Sequence, residues 1–282
     1  MTALIQTPSR HASPDPLRAL EALEGEIRTR ESLIVAFSGG VDSGVLLAVA
    51  ARVLGDRVVA ITADSASIPR KELEDAKAFA RRLGVEHRMI GTDELDKPEY
   101  SRNEPDRCFW CKQTLFDVCA RVAREEGWDA IAYGFTRDDV GDFRPGHRAA
   151  QQAGVIAPLH DAGLGKEAIR AIGLHLGLDL WDKPAAPCLS SRVPYGSEVT
   201  VEKLAKIEAM ESLLHDCGFA VCRARFDGRT MRIELEPDQI PRAASPEIRS
   251  KILLEADRLG VALVTIDLEG FRSGKLNRSE LR

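Results

Sequence analysis

Residues 33–54 read LIVAFSGGVDSGVLLAVAARVL, and the rest of the chain is arranged around them. Residues 33–37 are a short apolar run, the pattern of a strand buried on both faces of a parallel sheet. Residues 38–43 read Ser-Gly-Gly-Val-Asp-Ser and make a turn. From Gly44 onward the side chains are small or aliphatic, as in a helix packed on that sheet. Gly39 and Gly40 allow backbone angles closed to other residues and let N–H groups come close to a ligand. The helix behind them aims its unsatisfied N–H groups and positive dipole end at the same point. Ser38 and Ser43 add hydroxyl donors, which completes an anion cradle suited to phosphate. Asp42 would repel phosphate unless a cation lay between them, so it reads as a Mg²⁺ contact.

The spacing is neither that of a Walker loop nor that of a GxGxxG dinucleotide turn. With its preceding strand, the Ser-Gly-Gly-Val-Asp-Ser turn resembles the PP-loop ATP pyrophosphatases. These cleave ATP between the α- and β-phosphates and adenylate a substrate.

Composition sets outer bounds. A chain of 282 residues holds one large or two modest domains. The net charge of −5 comes with no block of Lys and Arg, so no nucleic-acid surface is advertised. No apolar run is long enough to span a membrane, and the first residues lack a signal-peptide core. Six cysteines without a secretory signal point to a reducing, cytoplasmic setting. There, thiols act as ligands, nucleophiles or small buried groups.

Along the chain, residues 1–14 are polar and aperiodic and read as a disordered tail. Asp15 and Pro16 form an N-cap and a first helical position. Residues 58–61, 86–90, 130–133 and 155–159 read as further strands, with helical spacing between them. This alternation predicts an α/β fold with a doubly wound parallel sheet. Ligands of such sheets sit at the carboxyl ends of the strands. Asp64, just past the second strand, and Gly134, just past the fourth, are therefore candidate ATP-binding residues alongside Ser38, Gly39, Gly40, Asp42 and Ser43. Residues 195–282 have a different rhythm, α-β-β-α-β with a hairpin turn at Asp227-Gly228, which predicts a smaller C-terminal α+β domain. The expected division is a PP-loop domain over 15–194 and the α+β domain over 195–282.

Two cysteine groups stand out. Cys108 and Cys111 form a CxxC unit, which serves as a redox couple, half of a zinc site or part of an iron–sulfur site. Cys188 lies in an aperiodic, proline-framed loop between Lys183 and Arg192, whose positive charges favour a thiolate. Cys119, Cys217 and Cys222 lie on apolar faces or at a helix end and read as structural. Arg223 and Arg225 share one strand face, and Arg144 and Arg148 lie in a polar loop. Either pair suits a carboxylate or a phosphate.

These segments together resemble the LarE sulfur transferases. The residues that carry the likeness are SGGVDS at 38, TADSASIP at 62, GFTRDDVGDFRPGHRAA at 134, DKPAAPCLSSRVPYG at 182 and VTIDLEGFRSGKLN at 264. The resemblance implies a PP-loop (adenine nucleotide alpha hydrolase-like) fold and use of ATP and Mg²⁺. It implies adenylation of a carboxylate of pyridinium-3,5-dicarboxylate mononucleotide, followed by displacement of AMP by sulfur. The product is a thiocarboxylate on the way to a nickel-pincer nucleotide cofactor. In one branch of the family the cysteine matching Cys188 gives up its own sulfur and is left as dehydroalanine. In another, thiolates matching Cys108, Cys111 and Cys188 hold a [4Fe–4S] cluster that carries the sulfide. Arg144, Arg148, Arg192, Arg223 and Arg225 become candidates for the substrate's carboxylate and phosphate. A homo-oligomer such as a hexamer is implied, with no nucleic-acid or membrane partner. The competing readings are a PP-loop tRNA thiolase and an ammonia-using synthetase of the NAD or GMP type.

Overall fold

The computed structural model describes residues 15–140 and 145–272. The expected tail at 1–14, Arg144 and the last ten residues lie outside this range. Helix α1 (Pro16–Arg28) leads to β1 (Leu33–Ala36), α2 (Val41–Leu54), β2 (Val58–Asp64), α3 (Arg70–Leu83) and β3 (Glu86–Gly91). A 3₁₀ turn (Glu94–Asp96) and α4 (Pro98–Ser101) precede α5 (Arg107–Glu126) and β4 (Ala130–Tyr133). Helices α6 (Pro145–Gln152), α7 (Pro158–Asp161) and α8 (Lys166–His175) follow. The second half holds α9 (Val201–Asp216), β5 (Cys222–Phe226), β6 (Thr230–Leu235), α10 (Ile240–Ala243), α11 (Pro246–Arg258) and β7 (Leu263–Ile266).

The first sheet has the order β3-β2-β1-β4, and all its pairs are parallel. Strand β1 is central and wholly buried, as its unbroken apolar run requires. Its side chains alternate between two cores. Leu33 and Val35 pack with residues of α1, α2, α3 and α8, such as Leu23, Leu47, Phe79 and Ile169. Ile34 and Ala36 pack on the other side with Phe116 and Cys119 of α5 and Ala149 of α6. Helices on both faces make the sheet doubly wound, as expected.

The expected strand at 155–159 is reduced to a single parallel bridge between Ala132 and Ile156. Pro158 explains the correction. It lacks the N–H that a ladder needs and instead takes the first position of α7.

The second sheet has the order β5-β6-β7, with β5 and β6 antiparallel and β6 and β7 parallel. Its core unites Leu204, Ile207 and Met210 of α9, Cys222 and Phe226 of β5, and Ile252 of α11. Tyr100, Leu189 and Val193 join the same core, so this layer reaches back to the loop that carries Cys188.

Candidate active site

The turn after β1 is built from its own hydroxyls. Ser38 N–H donates to Ser43 Oγ at 3.2 Å, and the two Oγ atoms lie 3.0 Å apart. Gly39 has φ +76°, and a Cβ there would sit 3.2 Å from Ala76 Cβ. Gly40 is the N-cap of α2, with no side chain over the helix end. The open N–H groups of that end face a cavity of about 550 Å³ lined by Ser38, Gly40, Asp42 and Ser43. Gly134 lines the opposite side, and a Cβ there would lie 2.8 Å from Ser43 N. Only glycine lets the end of β4 come so close to the first turn of α2.

Asp64 is not brought into this cavity. It closes β2, pairs with Arg70 Nη1 at 2.5 Å and lines a separate cavity of about 610 Å³ beside β3. Gly39 does not line the nucleotide-sized cavity either; it shapes the turn from behind.

Asp42 and the buried Asp139 both line the main cavity. Hard carboxylate oxygens suit Mg²⁺, which is ordinarily held by one or two carboxylates together with substrate phosphates. Asp42 and Asp139 would supply those two carboxylates.

The cysteines come together from distant parts of the chain. Cys108 and Cys111 lie one turn apart at the start of α5, and Cys108 lines the cavity. Cys188 is the N-cap of a 3₁₀ turn (Leu189–Arg192). The two segments are tied by Arg107, whose Nη1 donates to the Ser190 carbonyl at 3.0 Å. Tyr100 and Ser190 add a hydroxyl pair at 2.6 Å, and Leu189 N–H donates to the Ser67 carbonyl at 2.7 Å. Burial pushes the Cys111 thiol up to about 12, and negative charge on Cys188 adds to the rise. Cys108 is exposed as a whole, yet the protein around its sulfur raises its pKa, again with help from Cys188 and against Arg107 and Lys112. Three thiols thus share one electrostatic neighbourhood. Thiolates are the ligands an iron–sulfur cluster takes, but among the described residues no three His, Cys, Asp or Glu side chains are placed together to hold a metal. Cys188 itself does not line the cavity; Lys183, Pro184, Ala185 and Ala186 of its loop do.

The two cations that flank Cys188 in sequence are spent on carboxylates. Lys183 Nζ lies 2.7 Å from Glu72 Oε2. Arg192 is buried, with Nη2 3.0 Å from Glu211 Oε2, and its Nη1 donates to the carbonyls of Pro187 and Cys188. Arg225 is also buried, paired with Glu234 at 2.6 Å and donating to the Ser191 carbonyl at 3.1 Å. These two arginines hold the Cys188 turn against the second sheet. Arg223 donates to the Cys222 carbonyl at 2.7 Å and lies over the Phe271 ring. Burial, followed by repulsion from Arg192, lowers its pKa. Arg148 is exposed, over Phe109.

Sequence reasoning assigns no part to Glu72, Arg107, Tyr133 or His147, and treats Lys183 only as a charged neighbour of Cys188. Lys183 and His147 sit inside two of the segments quoted for the family likeness, and Arg107 directly precedes the CxxC. Those positions were the available signal.

The chain is similar to proteins already known. The asparagine synthase family matches residues 19–100, which span β1, the glycine turn and β2. An uncharacterized protein of Synechocystis is 41% identical over 262 residues, 93% of this chain and 97% of the relative. The pyridinium-3,5-bisthiocarboxylic acid mononucleotide synthase of Lactiplantibacillus plantarum is 34% identical over 256 residues, 90% of this chain and 92% of the relative. A tRNA-specific 2-thiouridylase of Caulobacter vibrioides is 29% identical over 208 residues, 60% of this chain and 54% of the relative. With its PP-loop turn, its parallel sheet and this full-length likeness, the chain belongs to the LarE family of sulfur-transferring enzymes.

Proposed function

We propose that the protein adenylates a carboxylate of pyridinium-3,5-dicarboxylate mononucleotide and converts it to a thiocarboxylate. The observation that carries this reading is Cys108 on the wall of the cavity lined by Ser38, Gly40 and Ser43, with Cys111 and Cys188 in its electrostatic neighbourhood. The turn and the α2 N-terminus bind the phosphates, and Asp42 with Asp139 would hold Mg²⁺, which would offset charge on a leaving pyrophosphate. Carboxylate oxygen attacks the α-phosphorus, and pyrophosphate leaves with the electron pair of the broken P–O bond. Sulfur then attacks the acyl carbon, and AMP leaves with the electron pair of the broken C–O bond.

Cys108, not Cys188, lines the cavity, which favours a sulfur carried by the three cysteines as a group over one cut from Cys188. A [4Fe–4S] cluster held by Cys108, Cys111 and Cys188 would supply one open iron for an added sulfide. Arg148 and Arg223, with Arg144, are the candidates for the substrate's carboxylate and phosphate. Arg192 and Arg225 act instead as positioning residues for the Cys188 turn, because Glu211 and Glu234 occupy them. The same reading divides the chain near residue 194 and carries with it a cytoplasmic homo-oligomer.

The test is anaerobic incubation with ATP, Mg²⁺ and the pyridinium dicarboxylate mononucleotide. Pyrophosphate release that depends on the pyridinium compound, with thiocarboxylate lost in the triple Cys→Ser variant, is expected. Thiolation retained in that variant would overturn the reading. Release of pyrophosphate only with tRNA would move the protein to the tRNA thiolases.

A further inference from the structure

Tyr133 ends β4, and its hydroxyl lies 2.6 Å from Nδ1 of His147 on α6. The imidazole lies flat on Phe135, with centroids 4.0 Å apart and planes 7° apart. Tyr133 stacks on Phe135 in turn, at 5.8 Å and 18°. The His147 ring is therefore fixed in both plane and rotation. A phenol is a stronger donor than acceptor, so the Tyr133 O–H donates and Nδ1 accepts. A neutral ring that accepts at Nδ1 carries its proton on Nε2. Burial, followed by the neighbouring His160, lowers the His147 pKa.

The position of the ring gives this donor a use. His147 and Tyr133 line the main cavity. Gly134, next to Tyr133, abuts the Asp42–Ser43 backbone of the anion cradle. Gly146, next to His147, abuts Lys112 and the Cys108 carbonyl, where a Cβ would come within 2.9 Å and 3.4 Å. The imidazole thus stands between the phosphate cradle and the CxxC. The ionisable groups that bear on it are Tyr133 from β4 and His160 from α7, with Asp139 and Asp161 acting on Tyr133 in turn.

We propose that Tyr133 fixes His147 as an Nε2–H donor to a phosphate oxygen of the bound nucleotide. The proposal rests on reading this cavity as the nucleotide site. In it His147 is a binding residue and Tyr133 a positioning residue.

The test uses the full-length protein labelled with ¹⁵N in its six histidines, with the His147 resonances assigned by their loss in His147→Gln. In the free protein His147 is expected as the neutral Nε2–H tautomer, and Tyr133→Phe should mix the tautomers while keeping the ring stack. Adding α,β-methylene-ATP with Mg²⁺ should shift the Nε2 resonance. By calorimetry, His147→Ala should weaken that nucleotide roughly ten-fold, whereas His147→Gln, whose amide N–H replaces Nε2–H, should stay within about three-fold. An Nδ1–H tautomer, or nucleotide bound with the Nε2 resonance unmoved, would overturn the proposal alone. A wild-type protein that binds no nucleotide would overturn the cavity reading and this proposal together.

Discussion

Lys183 Nζ sits 2.7 Å from Glu72 Oε2 and 3.3 Å from the Gly39 carbonyl. One ammonium thereby ties the loop that carries Cys188 to the turn that carries the phosphate cradle. Both partners of the ion pair are about four-fifths buried, with side-chain exposures of 20% and 19%. The contact is therefore screened less than a surface pair.

Lys183→Met should uncouple the two halves of the reaction. Thiolation is expected to fall roughly ten-fold or more, about 1.4 kcal/mol, while substrate-dependent ATP–pyrophosphate exchange falls no more than about three-fold. Measuring both rates on one preparation checks this. An equal loss in the two rates would show that Lys183 acts on the nucleotide and not on the sulfur loop.

Gly134→Ala places a methyl group 2.8 Å from Ser43 N, on the backbone of the first turn of α2. The end of β4 must then move away from α2. Nucleotide affinity should drop about ten-fold or more, and stability by about 1–3 kcal/mol. Calorimetric titration and urea unfolding separate the two effects.

Breaking the buried Arg192–Glu211 pair leaves a carboxylate without its cation, whereas Glu234 keeps Arg232 at 3.5 Å when Arg225 is removed. Arg192→Ala should cost about 3–5 kcal/mol in urea unfolding, and Arg225→Ala less, because Arg232 still faces Glu234. Arg192→Met combined with Glu211→Gln should recover part of that stability, because no buried charge then remains unpaired. A double variant as unstable as Arg192→Ala would refute the ion-pair account.

Stability should fall at alkaline pH. Burial raises the thiols of Cys111, Cys119 and Cys222 from an ordinary 9.0 to about 12. Above pH 9 the unfolded chain loses these protons while the folded chain keeps them. The folded state then binds more protons, so stability declines as pH rises from about 9 to about 12. Each thiol contributes a slope of about 1.4 kcal/mol per pH unit. Unfolding midpoints across that range should show a steeper fall in the wild type than in Cys119→Ala or Cys222→Ala.

The parts of the fold that sequence revealed are local. The run at 33–37, the two glycines after it and the aliphatic helix behind them each follow from short-range rules, and the structure forms all three. The alternation in β5 also held, with Cys222, Ala224 and Phe226 buried together. What local pattern missed was set by distant partners. Arg192 and Arg225 look like free cations in sequence, and only the packing of α9 and β6 supplies Glu211 and Glu234. Lys183 looks like an activator of Cys188, but α3 supplies Glu72 to hold it. The meeting of the CxxC with Cys188 depends on Arg107 reaching Ser190 across the fold, a contact that no spacing announces.

The most direct test of the central claim is the intact and peptide mass of anaerobically purified protein after turnover with ATP, Mg²⁺ and the pyridinium dicarboxylate mononucleotide. The account predicts thiolated product with the mass at Cys188 unchanged, because sulfur is carried by the three cysteines together. Loss of the elements of H₂S at Cys188, in step with product formed, would contradict it. That result would make the protein a single-use donor and leave Cys108 and Cys111 without a part in the transfer.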